Sequence, residues 1–342
     1  MLFPLPFVIT ANAAVGRSWA GHATGILAGV TAGITFLFGA LDLAASRSST
    51  SGSSGHNPLA VDVGFMATAV IAATLASKPV RDRVARVLPI DPDSPVHAFA
   101  VVLAVILLGT QLSSIFFASA VTGDQALSPL TLGDLISQEV PFLILAAAGV
   151  GLYIRRNPSG SADRLGLVVP KWWHVAIALA AAGAFFAFSQ LSDWLAHVLT
   201  PDIAHQVDRT TQHLFGGLDT PTGIAALALA PGICEEILFR GALQPRLGLI
   251  LTALLFASIH TQYGISLDAL AVFIIAIGLG LIRKYTNTTA SCICHVTYNL
   301  AVGIGIGSSW FGIAIALELG LVALSGYALW ANRRHAPVPV TP

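Results

Sequence analysis

About ten apolar runs, each long enough to cross a bilayer, constrain this chain more than any other feature. They fall near 22–44, 59–77, 97–120, 136–154, 172–196, 222–243, 248–264, 267–283, 288–306 and 311–331, and about 17–25 residues of helix span the hydrocarbon core. Lipid offers no water to pair a bare N–H or C=O, so a spanning segment must be a helix or part of a closed barrel. These runs are continuous rather than alternating, which selects helices. The expected fold class is all-α: a polytopic transmembrane helical bundle of about ten helices. Composition agrees, with 55 % hydrophobic and 10 % charged residues, against about 25 % charged in a soluble domain. The net charge is zero, which leaves no electrostatic case for a nucleic-acid partner.

The connections carry an orientation signal. KPVRDRVARVLP (78–89) and RRNPSGSADRLGLVVPK (155–171) hold four cations each, whereas GDQALSPLTLGD (123–134) holds two Asp and no cation. Arg246, Arg283 with Lys284, and Arg333 with Arg334 mark three later helix ends. Placing every basic connection in the cytoplasm gives consistent alternation, with both termini inside. On that scheme 78–96, 155–171 and 283–287 are cytoplasmic, and 121–135 and 197–221 are outside. SRSSTSGSSGHNP (46–58) reads as a flexible linker. The first cation is Arg17, so the start lacks the basic region of a signal peptide; residues 2–15 read as a short or interfacial segment. Fourteen Arg against three Lys, with much Ala and Gly, suit a GC-rich prokaryotic genome. An integral protein of a prokaryotic cell membrane is the expected localisation.

Polar residues inside the C-terminal runs need a reason, because an ionised side chain at mid-bilayer costs roughly 2.5–3.5 kcal/mol. They are Glu235, Glu236 and Arg240 in PGICEEILFRGAL, His260 in LILTALLFASIH, and His295 with Asn299 in SCICHVTYNLAVG. Adjacent helical residues point about 100° apart, so Glu235 and Glu236 cannot both face one target. Glu236 and Arg240 are i, i+4 and share a face, which makes them an internal ion pair. Glu235 is then free to face a cavity. Gln244, one turn beyond Arg240, extends the supporting face. His295 and Asn299 are also i, i+4, and Phe256 lies one turn before His260. A carboxylate with a histidine can take a proton from water. A histidine with an amide can donate to a tetrahedral oxyanion.

Order, spacing and setting together resemble the CPBP family of intramembrane proteases, also called Abi or type II CAAX prenyl endopeptidases. The EExxxR motif falls on Glu235, Glu236 and Arg240, FxxxH on Phe256 and His260, and HxxxN on His295 and Asn299. The resemblance covers residues 222–306, with RLGLVVPKWW (164–173) as its lead-in. It implies an intramembrane endopeptidase with a catalytic cavity between helices of the C-terminal half. Glu235 and His260 would activate water, His295 and Asn299 would hold the oxyanion, and Glu236, Arg240 and Phe256 would support them. The partners implied are a membrane-associated protein or peptide substrate and the lipid bilayer. No cofactor is implied. The motifs lack the HExxH spacing of a zinc peptidase, so the expected mechanism is glutamate-dependent and metal-free, with a divalent metal as the alternative. Residues 1–135 form an N-terminal transmembrane region without a recognised motif, 136–331 a CPBP-like core, and 332–342 a cytoplasmic tail.

Other polar groups have plainer readings. Cys234, Cys292 and Cys294 read as small buried apolar residues. His174 follows Trp172 and Trp173 and belongs at headgroup level. Thr200-Pro201 starts a helix, with Pro at its first position, and Gly216-Gly217 ends it. This helix carries His205, Asp208, Arg209 and His213, with His197 just before. Histidines eight apart drift about 80° round one helix, so the expected role is a solvated interfacial helix covering an entrance rather than a metal site. Two other functions use the same residues: a non-proteolytic membrane scaffold or regulator of the same fold, and a proton-coupled transporter. No internal repeat supports the transporter.

Overall fold

The computed structural model describes residues 2–48, 58–117, 128–305 and 307–334, and contains no β-strand among them. The linker around 46–58, residues 121–127 and the end of the tail lie largely or wholly outside the described residues. The helices in order are α1 Leu5–Ala14, α2 Ala20–Ser48, α3 Pro58–Thr74, α4 Lys78–Val84, α5 Pro95–Phe117, α6 Leu132–Val150, α7 Pro158–Leu165, α8 Trp172–Leu199, α9 Pro201–Phe215, α10 Pro221–Glu236, α11 Gln244–Ser258, α12 Leu267–Tyr285, α13 Thr288–Ile304 and α14 Phe311–Arg334. The protein is an all-α polytopic bundle and an integral membrane protein. Among the described residues, six helical stretches are long and apolar enough to cross a membrane, or seven if bent α3–α4 is one span. That is fewer than the apolar runs. The runs at 222–243 and 248–264 merge into one stretch, α13 has only 17 residues, and α12 carries charge at both ends.

Two groups of helices meet. Helices α2, α3 and α5 pack on one another, while α8, α12, α13 and α14 form a second group, with α10 against α13 and α6. Helix α1 lies against α2, α5 and α6, and α5 lies against α11. The N-terminal region is therefore part of the core, and residues 2–15 are packed into the bundle rather than laid on its surface. The lipid-facing sides are apolar: Phe38 and Leu41 on α2 and Leu317 and Leu319 on α14 are all exposed.

Local chemistry sets the element ends. Thr131 caps α6 through a reciprocal capping box with Asp134, as expected for a Thr with an acid three residues on. Asn287 accepts from the Ala290 amide at 2.8 Å to cap α13 and donates to His174 Nδ1 at 2.9 Å. His174 is thus buried against the start of α13. Pro201 does open α9, but the Thr200 hydroxyl donates back to the Ala196 carbonyl at 3.2 Å instead of capping.

Five of the basic side chains gather at one end. Burial, then the charges of Arg246, Arg156, Arg283 and Arg155, hold the Arg164 guanidinium down to about 10. Those arginines come from the 155–171 connection, the start of α11 and the last turn of α12, so these three places share one end of the bundle. Helix α8 runs 28 residues, about 42 Å at 1.5 Å per residue, and carries the chain to the opposite end, where α9 lies.

Candidate active site

Glu235 and Glu236 end α10, where the helix widens into a π-helical turn, Ile237–Leu243. Such turns recur at functional sites because they re-aim side chains within a continuous helix. Glu236 and Arg240 are both fully buried, and Arg240 Nη1 lies 3.0 Å from Glu236 Oε1. The N–H is not aligned on that oxygen, so the contact is an ion pair rather than a hydrogen bond. Arg240 Nη2 donates to the Ala276 carbonyl of α12 at 3.2 Å, and its Cζ sits 4.2 Å over the Phe256 ring. Gln244 does not extend the pair; its amide donates to the Gly280 carbonyl at 2.8 Å and ties the turn to α12.

Glu236 also reaches α13. His295 Nδ1 donates to Glu236 Oε1 at 3.0 Å, and the Ser291 hydroxyl contacts Glu236 Oε2. This link between Glu236 and His295 was not read from the sequence. Its signal was Ser291, one turn before His295 on the same face. The helices must come close to allow it. A Cβ on Gly232 would lie 2.6 Å from Val296 Cγ2 and 2.9 Å from its amide nitrogen, so only glycine permits this α10–α13 approach.

His260 owes its position to a broken helix. Gly248 has φ 76° and ψ 172°, outside the helical region, and divides α11 into a short first limb and a second limb ending at Ser258. A straight helix from Arg246 would carry His260 about 21 Å along its axis; the break at Gly248 means the segment is not one straight helix. His260 follows the helix end with non-helical φ −88° and ψ 58°. Its Nδ1 donates to the Phe256 carbonyl at 2.8 Å, satisfying one of the unpaired carbonyls at a helix C-terminus. The FxxxH spacing therefore has a physical reason. Phe256 is the platform between the groups: its ring lies 4.8 Å from that of His260 and 5.9 Å, edge-on, from that of His295.

Glu235, His260, His295 and Asn299 all line one cavity of about 1100 Å³. Glu235 is buried, and its Oε2 has no hydrogen-bond partner. In both histidines Nδ1 is committed, leaving Nε2 for other chemistry. Asn299 donates one amide hydrogen to the Leu227 carbonyl at 3.3 Å, and the second remains. Residues 218–301 match the family model described as type II CAAX prenyl endopeptidase Rce1-like. The match supports the resemblance of this segment to the CPBP family of intramembrane proteases. No curated protein and no solved structure matches the chain.

Part of the cavity wall comes from beyond the matched segment. Val8 and Ala11 of α1 and Phe99 and Leu103 of α5 line the cavity, as do Thr211 and Phe215 of α9. Arg155, Arg164 and Arg246 line it at the basic end. Glu139 of α6 is a further acid on the wall, buried, with an unpartnered Oε2 and a charge that acts on Glu235. Sequence reasoning missed it, although a glutamate inside the 136–154 run was the same signal that singled out Glu235. Cys234, Cys292 and Cys294 are buried free thiols, in keeping with their apolar reading.

Proposed function

We propose that the protein is an intramembrane endopeptidase that hydrolyses peptide bonds of membrane-associated substrates with a glutamate-activated water. The observation that carries the reading is the division of the adjacent glutamates: Glu235 faces the cavity with an unpartnered oxygen, while Glu236 is saturated by Arg240, His295 and Ser291. Glu235 takes the proton of a water that His260 Nε2 holds by accepting its other hydrogen. The water oxygen attacks the substrate carbonyl carbon; when the adduct collapses, the C–N bond breaks and Glu235 passes the proton it took to the leaving amine nitrogen. An imidazolium ring donates from both nitrogens; His295 gives Nδ1–H to Glu236 and Nε2–H to the forming oxyanion. The second amide hydrogen of Asn299 completes the oxyanion pair. Glu236 and Arg240 hold His295 and Phe256 in place, as carboxylate–histidine pairs do elsewhere.

The motifs' lack of HExxH spacing favours a metal-free reaction, and the arginine-lined end of the cavity favours substrate entry from the cytoplasm of a prokaryotic cell, with both termini on that side. The test is cleavage of membrane-anchored peptides in proteoliposomes, with and without a chelator. Cleavage by wild type, none by Glu235→Gln, and no effect of chelator are expected. A chelator-sensitive reaction would replace the metal-free mechanism. No cleavage across a broad peptide panel, with proton-coupled solute flux instead, would replace the protease reading with a transporter.

A further inference from the structure

One group of ligating side chains lies apart from the site. The atoms that His197, His205 and Asp208 could offer a metal lie within 4.8 Å of one another. A single helix would set the two histidines about 80° apart, and the chain avoids this by breaking. Thr200, with φ −140° and ψ 58°, ends α8, and Pro201 starts α9 in a new direction. His197 from the end of α8 then meets His205 and Asp208 from the first turns of α9. His197 Nε2 lies 3.0 Å from Asp208 Oδ2, and the two imidazole rings stand edge to face at 5.3 Å.

We infer that His197, His205 and Asp208 form a binding site for a first-row divalent transition ion, zinc above all, that staples α9 to α8. Two imidazoles and one carboxylate, with the solvent side open for water, are a donor set suited to tetrahedral zinc. The surroundings favour a cation. His197 Nδ1 is 2.9 Å from the Asp193 carbonyl and 3.5 Å from its carboxylate, the outer-sphere contact that orients a ligating histidine and directs Nε2 to the metal. The charge of Asp268, at the start of α12, also falls on this cluster. His205 and Asp208 are exposed, so an ion can enter without unfolding.

The consequence concerns the cavity. Helix α9 supplies Thr211 and Phe215 to its wall and packs on the Thr261–Tyr263 turn beside His260. An ion held between α8 and α9 fixes that covering helix. The inference does not rest on the protease reading, and its test uses no activity.

The experiment is titration of the full-length, chelator-stripped protein, carrying no histidine tag, with cobalt(II) as the spectroscopic probe and zinc as competitor. Wild type is expected to bind one cobalt with visible tetrahedral d–d absorption that zinc displaces. His205→Ala should abolish the absorption, and Asp208→Asn should weaken binding at least tenfold. His22→Ala, at an exposed histidine on α2, should change nothing. Zinc should slow amide exchange in α9 of wild type and leave His205→Ala unaffected. Because His205 is exposed, this variant should melt with wild type in chelator, which separates lost ligation from lost fold. Equal cobalt binding by wild type and His205→Ala, or no saturable binding by wild type, overturns the inference.

Discussion

Among the described residues two arginines are buried, and they are satisfied in opposite ways. Arg81, in the N-terminal region, donates to the carbonyls of Leu75 at 2.9 Å, Ala76 at 2.7 Å and Pro92 at 2.9 Å. It caps the end of α3 from within α4, at a 95° bend between them. Only backbone answers it, so its influence stops at the bend. Arg240 is answered by a carboxylate, a carbonyl and an aromatic face, and that carboxylate goes on to hold His295. A buried cation paired with backbone fixes shape. One paired with an acid can pass its charge and position to a titratable group. The comparison predicts that the two regions respond differently to substitution.

The largest effect falls on the acid that no side chain answers. Glu235→Gln keeps volume and removes the base, so cleavage should vanish while the melting temperature stays within a few degrees of wild type; retained cleavage would take Glu235 out of the reaction. Glu236→Ala should damage both fold and activity. Removing one partner of a buried pair costs about 3–5 kcal/mol, and here it also frees His295. Thermal unfolding of the purified variant measures this, and a variant as stable as wild type would show that Arg240 is held as Arg81 is, by carbonyls.

Next in size is Asn299→Ala, which removes one oxyanion donor and should lower kcat by about 10²–10³ with little change in stability. Loss of fold instead would make the bond to the Leu227 carbonyl its main duty. Arg81→Ala should do the reverse. Hydrogen bonds from charged donors contribute about 1.5–3 kcal/mol, and carbonyls at a bend near a helix end can turn to water, so a stability loss on the order of 2 kcal/mol is expected. Activity per folded molecule should not change. A folded but inactive Arg81→Ala would erase the distinction between the two arginines.

What the sequence reveals follows the range of the interaction. Contacts at i, i+4 are fixed by helix geometry, so the Glu236–Arg240 pair and the Phe256–His260 unit could be read before any fold was known. The α9 boundaries were legible for the same reason, from Pro201 and the glycines after Phe215. Contacts between helices were not. The His295–Glu236 bond depends on how closely α10 and α13 approach at Gly232, and the His197–His205 contact depends on the angle the chain takes at Thr200. The break before His260 was not legible either, because a positive-φ glycine at 248 looks, in sequence, like any other small residue of an apolar run.

Glu139 gives the smallest effect and the finest test of where the site ends. It stands on α6, outside the family-matched segment, and shares the cavity wall with Glu235. A buried polar atom without a partner costs about 1–3 kcal/mol, and Glu139 Oε2 is such an atom. Glu139→Leu replaces it with an apolar side chain of similar size in a wall already lined by Phe142 and Leu145. Stability should rise by about 1 kcal/mol, read as an upward shift in melting temperature. Because no bond ties Glu139 to His260, His295 or Asn299, cleavage should fall less than tenfold. If cleavage disappears while the melting temperature rises, the reaction uses a third acid, and the active site extends from the matched helices into α6.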